Sequence, residues 1–255
     1  MAEIISVVNQ KGGVGKTTTS INLAAILSET GYKVLLLDFD PQANASSGLG
    51  LSKEKVTTTV YDALFDPGQV DNAIYASPVD TLSVLAASTS LAGAEVELNN
   101  VEKREFRLKA VVDKIKGDYD YIVIDCAPSL GLLTVNALVA SQKVLVPVQC
   151  EYYALEGVAQ LMQTLTLVGK HLNPELEIMG VLLTMYDPRT SLNQLVVENA
   201  KAHFKSLVFD TVIPRNVRLA EAPSHGLPII LYNPRSTGAH SYYQFTKELL
   251  HRVHA

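Results

Sequence analysis

A chain of 255 residues is long enough for one large α/β domain, and 47% hydrophobic against 18% charged residues excludes a disordered protein. The net charge of −5 excludes a uniformly basic nucleic-acid binder. The charge is uneven, however: from Met185 onward eight Lys/Arg face five Asp/Glu (+3) and the remainder holds 13 against 21 (−8), so an anionic partner is to be sought in the C-terminal region.

Taken in chain order, apolar runs of strand length fall at residues 4–8, 34–37, 82–85, 121–124, 144–148, 180–184 and 208–213. Each is nearly continuous in hydrophobics, the pattern of strands covered on both faces. Helical patterns lie between them, at 17–30 ended by Gly31, at 104–116 ended by Gly117, and at 154–172 followed by Asn173-Pro174; a last helix spans about 241–254. The alternation predicts a doubly wound, mainly parallel β-sheet with helices on both faces, in a single domain over residues 1–255. The more polar stretch at 48–79 reads as an insertion beside the sheet.

Glu3 stands where a secretory leader would be basic, and the apolar run behind it is too short for one. No run approaches the ~18 apolar residues of a membrane span, so a cytoplasmic location and no membrane partner are expected. Cys126 and Cys150 form no C-x-x-C motif and read as small buried hydrophobes with reduced thiols. His225 has no Cys or His beside it, and no metal role is assigned to it.

The first strand runs into Lys11-Gly12-Gly13-Val14-Gly15-Lys16-Thr17-Thr18. The first glycine of the usual phosphate-loop pattern is replaced here by Asn9 or Gln10, but the context of strand, glycine-rich turn and helix is that of a phosphate loop. The glycines let backbone N–H groups converge on phosphate oxygens, and the helix beginning at Thr17 adds its positive end. Lys16 is expected to neutralise β/γ-phosphate charge and Thr17 to ligate Mg²⁺, with ATP and Mg²⁺ as cofactors. Lys11 is either a solvated surface lysine or a residue that reaches the phosphates of a second subunit; its spacing does not decide between these.

Two acidic segments follow strands. Asp125 closes the run 121–125, the form of a Walker B strand, at the end of a parallel strand where doubly wound folds bind ligands. It is expected to hold the Mg²⁺ shell through water. In Asp38-Phe39-Asp40-Pro41-Gln42, either Asp40 or Asp38 could orient the attacking water, and Asp40-Pro41 also suits a plain turn.

These segments together resemble the ParA/Soj family of partition ATPases, of the short chromosomal type, within the deviant-Walker group that includes MinD and the nitrogenase iron protein. The resemblance covers nearly the whole chain. Beyond 9–19, 38–42 and Asp125 to Gly131, it is carried by Leu91-Ala92-Gly93-Ala94-Glu95, by Pro147-Val148-Gln149-Cys150-Glu151-Tyr152-Tyr153-Ala154-Leu155-Glu156-Gly157, by Ile213-Pro214-Arg215-Asn216-Val217-Arg218 and by Glu221-Ala222-Pro223-Ser224-His225-Gly226. It implies that Lys11 crosses an ATP-dependent homodimer and that Gly12 is small because subunits meet there. It further implies that Asp40 positions the hydrolytic water, that Asp125 is the Walker B acid, and that Pro214 and Asn216 contact adenine. The implied partners are non-specific double-stranded DNA and a ParB/Spo0J-like centromere-binding protein that stimulates hydrolysis, and the implied location is nucleoid-associated.

Arg189 and Arg218 are the leading DNA contacts, with Lys201, Lys205 and Arg235 behind them. The competing expectation pairs Arg189 with Asp187 and Arg218 with Glu221. Ala43 departs from the glycine common in relatives after Asp-Pro-Gln, which would restrict that loop. The first strand starts almost at Met1, so no helix-turn-helix extension is expected. The alternative is a MinD-like membrane-cycling ATPase, which needs a basic amphipathic C-terminal helix; Lys247 and Arg252 are the only Lys/Arg in 241–255. An iron–sulfur carrier would need cysteines able to bridge a dimer, and Cys126 and Cys150 sit in no such motif.

Overall fold

A computed structural model describes residues 2–151 and 154–254; Tyr152 and Tyr153 of the family motif lie outside the described residues. The strands are β1 (Glu3–Val7), β2 (Val34–Phe39), β3 (Ile74–Ala76), β4 (Leu82–Leu85), β5 (Tyr121–Cys126), β6 (Lys143–Gln149) and β7 (Glu177–Thr184). They form one sheet in the order β3-β4-β2-β5-β1-β6-β7. All neighbours are parallel except the antiparallel pair β3 and β4.

The helices are α1 (Lys16–Glu29), α2 (Asn44–Gly48), α3 (Val60–Phe65), α4 (Leu91–Glu97), α5 (Arg107–Ile115), α6 (Leu132–Ala140), α7 (Ala154–His171), α8 (Ser191–Phe204), α9 (Val217–Glu221), α10 (Ile229–Tyr232) and α11 (Thr237–His254). Side chains alternate across the strands: Ile4 and Val8 of the first strand region enter one core, Ile5 and Val7 the other. The first core is closed by Leu64, Leu108, Leu138, Leu161 and Phe204, from helices α3 to α8. The second is closed by Ile21, Leu27, Ile229, Tyr242 and Phe245, from α1, α10 and α11. β2 and β5 are buried at every position, which is why their sequences read as unbroken apolar runs. No described helix is long and apolar enough to cross a membrane.

Four expectations are corrected. Residues 208–213 are not a strand: one bridge joins Val208 to Val181, and Phe209 N and Ile213 N donate to Val181 O (3.0 Å) and Leu183 O (2.8 Å). The ladder breaks between them because Asp210 N and Thr211 N donate instead to the Glu248 carboxylate of α11, at 2.8 and 3.0 Å. The stretch 48–79 is not simply an insertion, since it contains α3 and ends in β3, which lengthens the sheet. Three residues are too few to show a strand period. In the predicted helix 104–116, Arg104–Phe106 form a tighter 3₁₀ turn before α5, and the last helix begins at Thr237 rather than near 241.

The last helix is anchored near its end. Arg252 lies 3.8 Å over the Phe209 ring and donates to the carbonyls of Met179, Leu207 and Val208 at 3.3, 3.1 and 2.8 Å, while pairing with Glu248 at 3.1 Å. This junction leaves no space at Gly180, where a Cβ would stand 2.6 Å from Leu207 O.

Candidate nucleotide-binding site

The site forms at the carboxyl ends of the central strands. Val7 of β1 and Asp38 of β2 both lie in register with Asp125 of β5, so the sheet itself sets two carboxylates beside the loop that leaves β1. That loop is held from both sides. Asn9 donates from Nδ2 to Pro147 O (2.7 Å) and accepts Lys11 N (3.0 Å), and the Thr184 hydroxyl at the end of β7 donates to Val14 O (2.8 Å). Gly13 and Gly15 have φ of 74° and 90°, a left-handed backbone that disfavours side chains, and Gly15 caps the start of α1. Gly12 has no such need, since a Cβ there would lie 4.0 Å from Pro128 Cβ.

Lys16 opens α1, is 7% exposed, and donates to Lys11 O at 3.1 Å. Burial lowers its pKa, opposed by Asp125, Cys126 and Asp40. Asp125 is fully buried. Its Oδ1 accepts the Ser20 hydroxyl at 2.9 Å, whereas Oδ2 has no hydrogen-bond partner among the described residues. Its pKa is pushed up to about 7, first by burial and then by Asp38; the Ser20 and Thr17 hydroxyls oppose this, the Thr17 hydroxyl without making a well-formed bond. An orphaned carboxylate oxygen beside the Thr17 hydroxyl is a donor set that fits a hydrated Mg²⁺.

Asp40 is 6% exposed and accepts Gln42 N at 2.9 Å, a tight turn that holds its carboxylate just beyond β2. Asp38 is fully buried and accepts three donors: Asp40 N at 3.2 Å, and Ser46 N and the Ser46 hydroxyl, each at 2.7 Å. Burial raises its pKa to about 6 against the pull of those bonds. With its carboxylate committed inward, Asp38 is placed to hold the loop, and Asp40 is the acid left at the site. Ala43 does adopt the left-handed φ of 52° that a glycine would take without strain.

Lys11 turns away from its own loop. Its ammonium pairs with Glu151 at 3.0 Å, with the two side chains 42% and 52% exposed, and the other Glu151 oxygen accepts Gln149 at 2.6 Å. Pro214 and Asn216 line a cavity of about 360 Å³ beside Gly15 and Thr18, joined there by Thr184 and Met185. Asn216 also caps α9, accepting Arg218 N at 2.8 Å and donating to the Thr237 hydroxyl at 2.7 Å. Sequence reading did not assign Ser20, Thr184, Met185 or Glu151. Ser20 carries a local signal, being one helical turn beyond Lys16; Thr184 ends β7, Met185 follows it, and Glu151, within the 147–157 motif, follows β6, all far from the loop in sequence.

Neither Arg189 nor Arg218 lines this cavity, and both have carboxylate partners within the chain, as the competing expectation held. Arg189 pairs with Asp187 at 2.7 Å and holds that carboxyl at about 2, yet its side chain remains 87% exposed. Arg218 pairs with Glu221 at 2.7 Å and is half-exposed. Lys201 stands 3.6 Å from Asp210. Cys126 and Cys150 are buried, and burial pushes the Cys150 thiol up to about 11.

Residues 2–178 match the family model described as an AAA domain. The chain is 58% identical to the sporulation initiation inhibitor protein Soj of Bacillus subtilis (strain 168), over 98% of both chains. This chain belongs to the ParA/Soj family. A chromosome partitioning protein ParA from Myxococcus xanthus (strain DK1622) is 50% identical over 99% of this chain and 89% of its own. Among solved structures, cobyrinic acid a,c-diamide synthase from Mycobacterium smegmatis with bound ADP and magnesium is 36% identical with a TM-score of 0.88, covering 100% of this chain and 96% of that one. The ParA/Soj chain described here is accordingly a P-loop ATPase of chromosome partition, built on the doubly wound fold.

Proposed function

We propose that the protein binds Mg-ATP, closes into a nucleotide-sandwiched homodimer, and in that form binds double-stranded DNA without sequence preference, to be released by hydrolysis that a ParB/Spo0J-like partner stimulates. The observation that carries the reading is the site itself: Lys16, Thr17, Asp40 and Asp125 converge on one loop, with an unsatisfied carboxylate oxygen at Asp125. The loop N–H groups and Lys16 hold the triphosphate, and Asp40 orients the attacking water. Bound Mg²⁺ would be held by Thr17 and, through water, by Asp125, and would neutralise charge on the β- and γ-phosphates. Pro214 and Asn216 would bound the adenine. The dimer places the protein on the nucleoid in the cytoplasm while ATP lasts.

Lys11 is the residue for which a dimer is needed. Its pairing with Glu151 leaves it half-exposed on the phosphate-loop face, and Gly12 is small without an internal reason. Lys11→Ala is expected to bind ATP within a few-fold of wild type as a monomer but to lose ATP-driven dimerisation and turnover, read by size-exclusion chromatography and phosphate release. Normal dimerisation and turnover would return Lys11 to an ordinary surface role.

DNA binding is assigned to Arg189 and Arg218. Both guanidinium groups remain half-exposed or more despite these pairs, so phosphates can compete for them. One subunit offers few phosphate contacts, and a dimer doubles them, which couples DNA affinity to ATP. Substituting both by Glu should weaken binding to every sequence alike and flatten its salt dependence by roughly one log unit per lost phosphate contact, with dimerisation intact. A variant that dimerises and keeps the wild-type salt slope would put the DNA face elsewhere. The MinD-like alternative would need α11 to leave the fold for a membrane, and the Arg252 anchor opposes that; co-sedimentation with anionic liposomes and ATP is the direct test.

A further inference from the structure

We infer that Ser46 is a positioning residue for hydrolysis: its hydroxyl locks the loop that carries Asp40 and so sets the aim of that carboxylate. The inference rests on the assignment of Asp40 to the attacking water. The chain leaves β2 after Phe39, passes Asp40, turns through the left-handed Ala43 and enters α2 at Asn44. Asp38 closes it into a ring, because its two carboxylate oxygens grip both ends: Oδ1 accepts Asp40 N, and Oδ2 accepts Ser46 N and Ser46 Oγ. The Ser46 hydroxyl is used twice, since its oxygen also accepts Ala87 N at 3.1 Å, just beyond β4. One hydroxyl therefore ties the end of β2, the start of α2 and the exit of β4 together. All three residues are buried, with Ser46 3% exposed, Asp38 0% and Ala87 4%.

Removing the hydroxyl would orphan the Ala87 N–H and take one of three donors from a buried carboxylate, and a buried polar group without a partner does not stay where it was. The nearest way to relax is for the ring to open, and Asp40 shares it. None of these bonds touches the phosphate loop or the adenine cavity. A catalytic carboxylate tolerates little misplacement, and an error near 1 Å costs on the order of a hundredfold in rate. The lock should therefore appear in kcat and not in nucleotide affinity.

The test separates the hydroxyl from side-chain size. A cavity of about 230 Å³ lies beside Ser46, also lined by Ala43, Leu51, Val56 and Ala87. Ser46→Thr keeps the hydroxyl and Ser46→Val has nearly the same shape without it. Expected are a turnover within about threefold of wild type for the Thr variant and at least tenfold lower for the Val variant. ATP affinity, read with a fluorescent analogue, should be the same in both. Equal turnover in the two variants, or a Val variant that loses affinity in step with rate, overturns the inference. Ser46→Ala removes the hydroxyl without adding bulk and should also turn over at least tenfold slower than wild type; normal turnover in it overturns the inference. Asp40→Ala is measured alongside: if it turns over normally, the assignment of Asp40 has failed, whereas a dead Asp40→Ala beside a normal Ser46→Val sinks the Ser46 inference alone.

Discussion

Lys16→Ala is expected to abolish productive ATP binding, with affinity falling at least about a hundredfold, or roughly 2.7 kcal/mol. The lysine is 7% exposed, and burial already works against its charge, so the fold maintains a cation there against a cost. Asp125, Cys126 and Asp40 surround it, and without its ammonium the approaching triphosphate would meet a site dominated by carboxylates. Lys11, the other lysine of the loop, faces Glu151 and does not replace it. The ammonium also donates to Lys11 O, so its loss loosens the loop itself. Titration with a fluorescent ATP analogue checks the result, and a variant with wild-type affinity and turnover would remove the phosphate-loop assignment altogether.

Asp40→Ala should divide binding from chemistry. Its carboxylate accepts Gln42 N and makes no hydrogen bond to the phosphate loop among the described residues, so ATP affinity should stay near wild type and dimers should form. Hydrolysis should fall by about 10²–10⁴-fold, the usual worth of a group that orients or deprotonates the nucleophile, and the ATP-bound dimer should accumulate. Size-exclusion chromatography with ATP, together with a single-turnover phosphate assay, reads both outcomes. A monomeric variant, or one with normal turnover, would contradict the role given to Asp40.

The fold was legible where burial is complete. β1, β2, β4, β5, β6 and β7 are covered on both faces and advertise themselves as apolar runs, while Gly31 and Gly117 mark helix ends plainly. Residues 208–213 carried the same apolar signal but lost their ladder to Glu248, a residue 37 positions or more away whose competition no local pattern announces. β3 was missed for the opposite reason, being short and only half-buried. At the site, the positions of Lys16 and Thr17 at the start of α1, and of Asp40 and Asp125 at the ends of β2 and β5, were readable because they follow from local sequence pattern. Asp38 was left undecided because its role depends on where its carboxylate points, and that is fixed by Ser46, eight residues on. Arg189 and Arg218 were picked from the local charge excess and the family resemblance, and the competing expectation, pairing with Asp187 and Glu221, is what the structure shows.

The interrupted segment 208–213 bears on how copies of this chain can meet. β7 is the outermost strand on its side, and a bare outermost strand offers a row of free N–H and C=O groups on which a neighbouring molecule can template itself. Here that row is partly taken by Phe209 and Ile213, yet the covering segment is too irregular to offer a fresh row of its own. At the far rim, β3 is only three residues long. Both rims of the sheet are therefore poor templates for lateral strand pairing, which leaves the carboxyl-end face as the one on which the proposed nucleotide-dependent dimer would form.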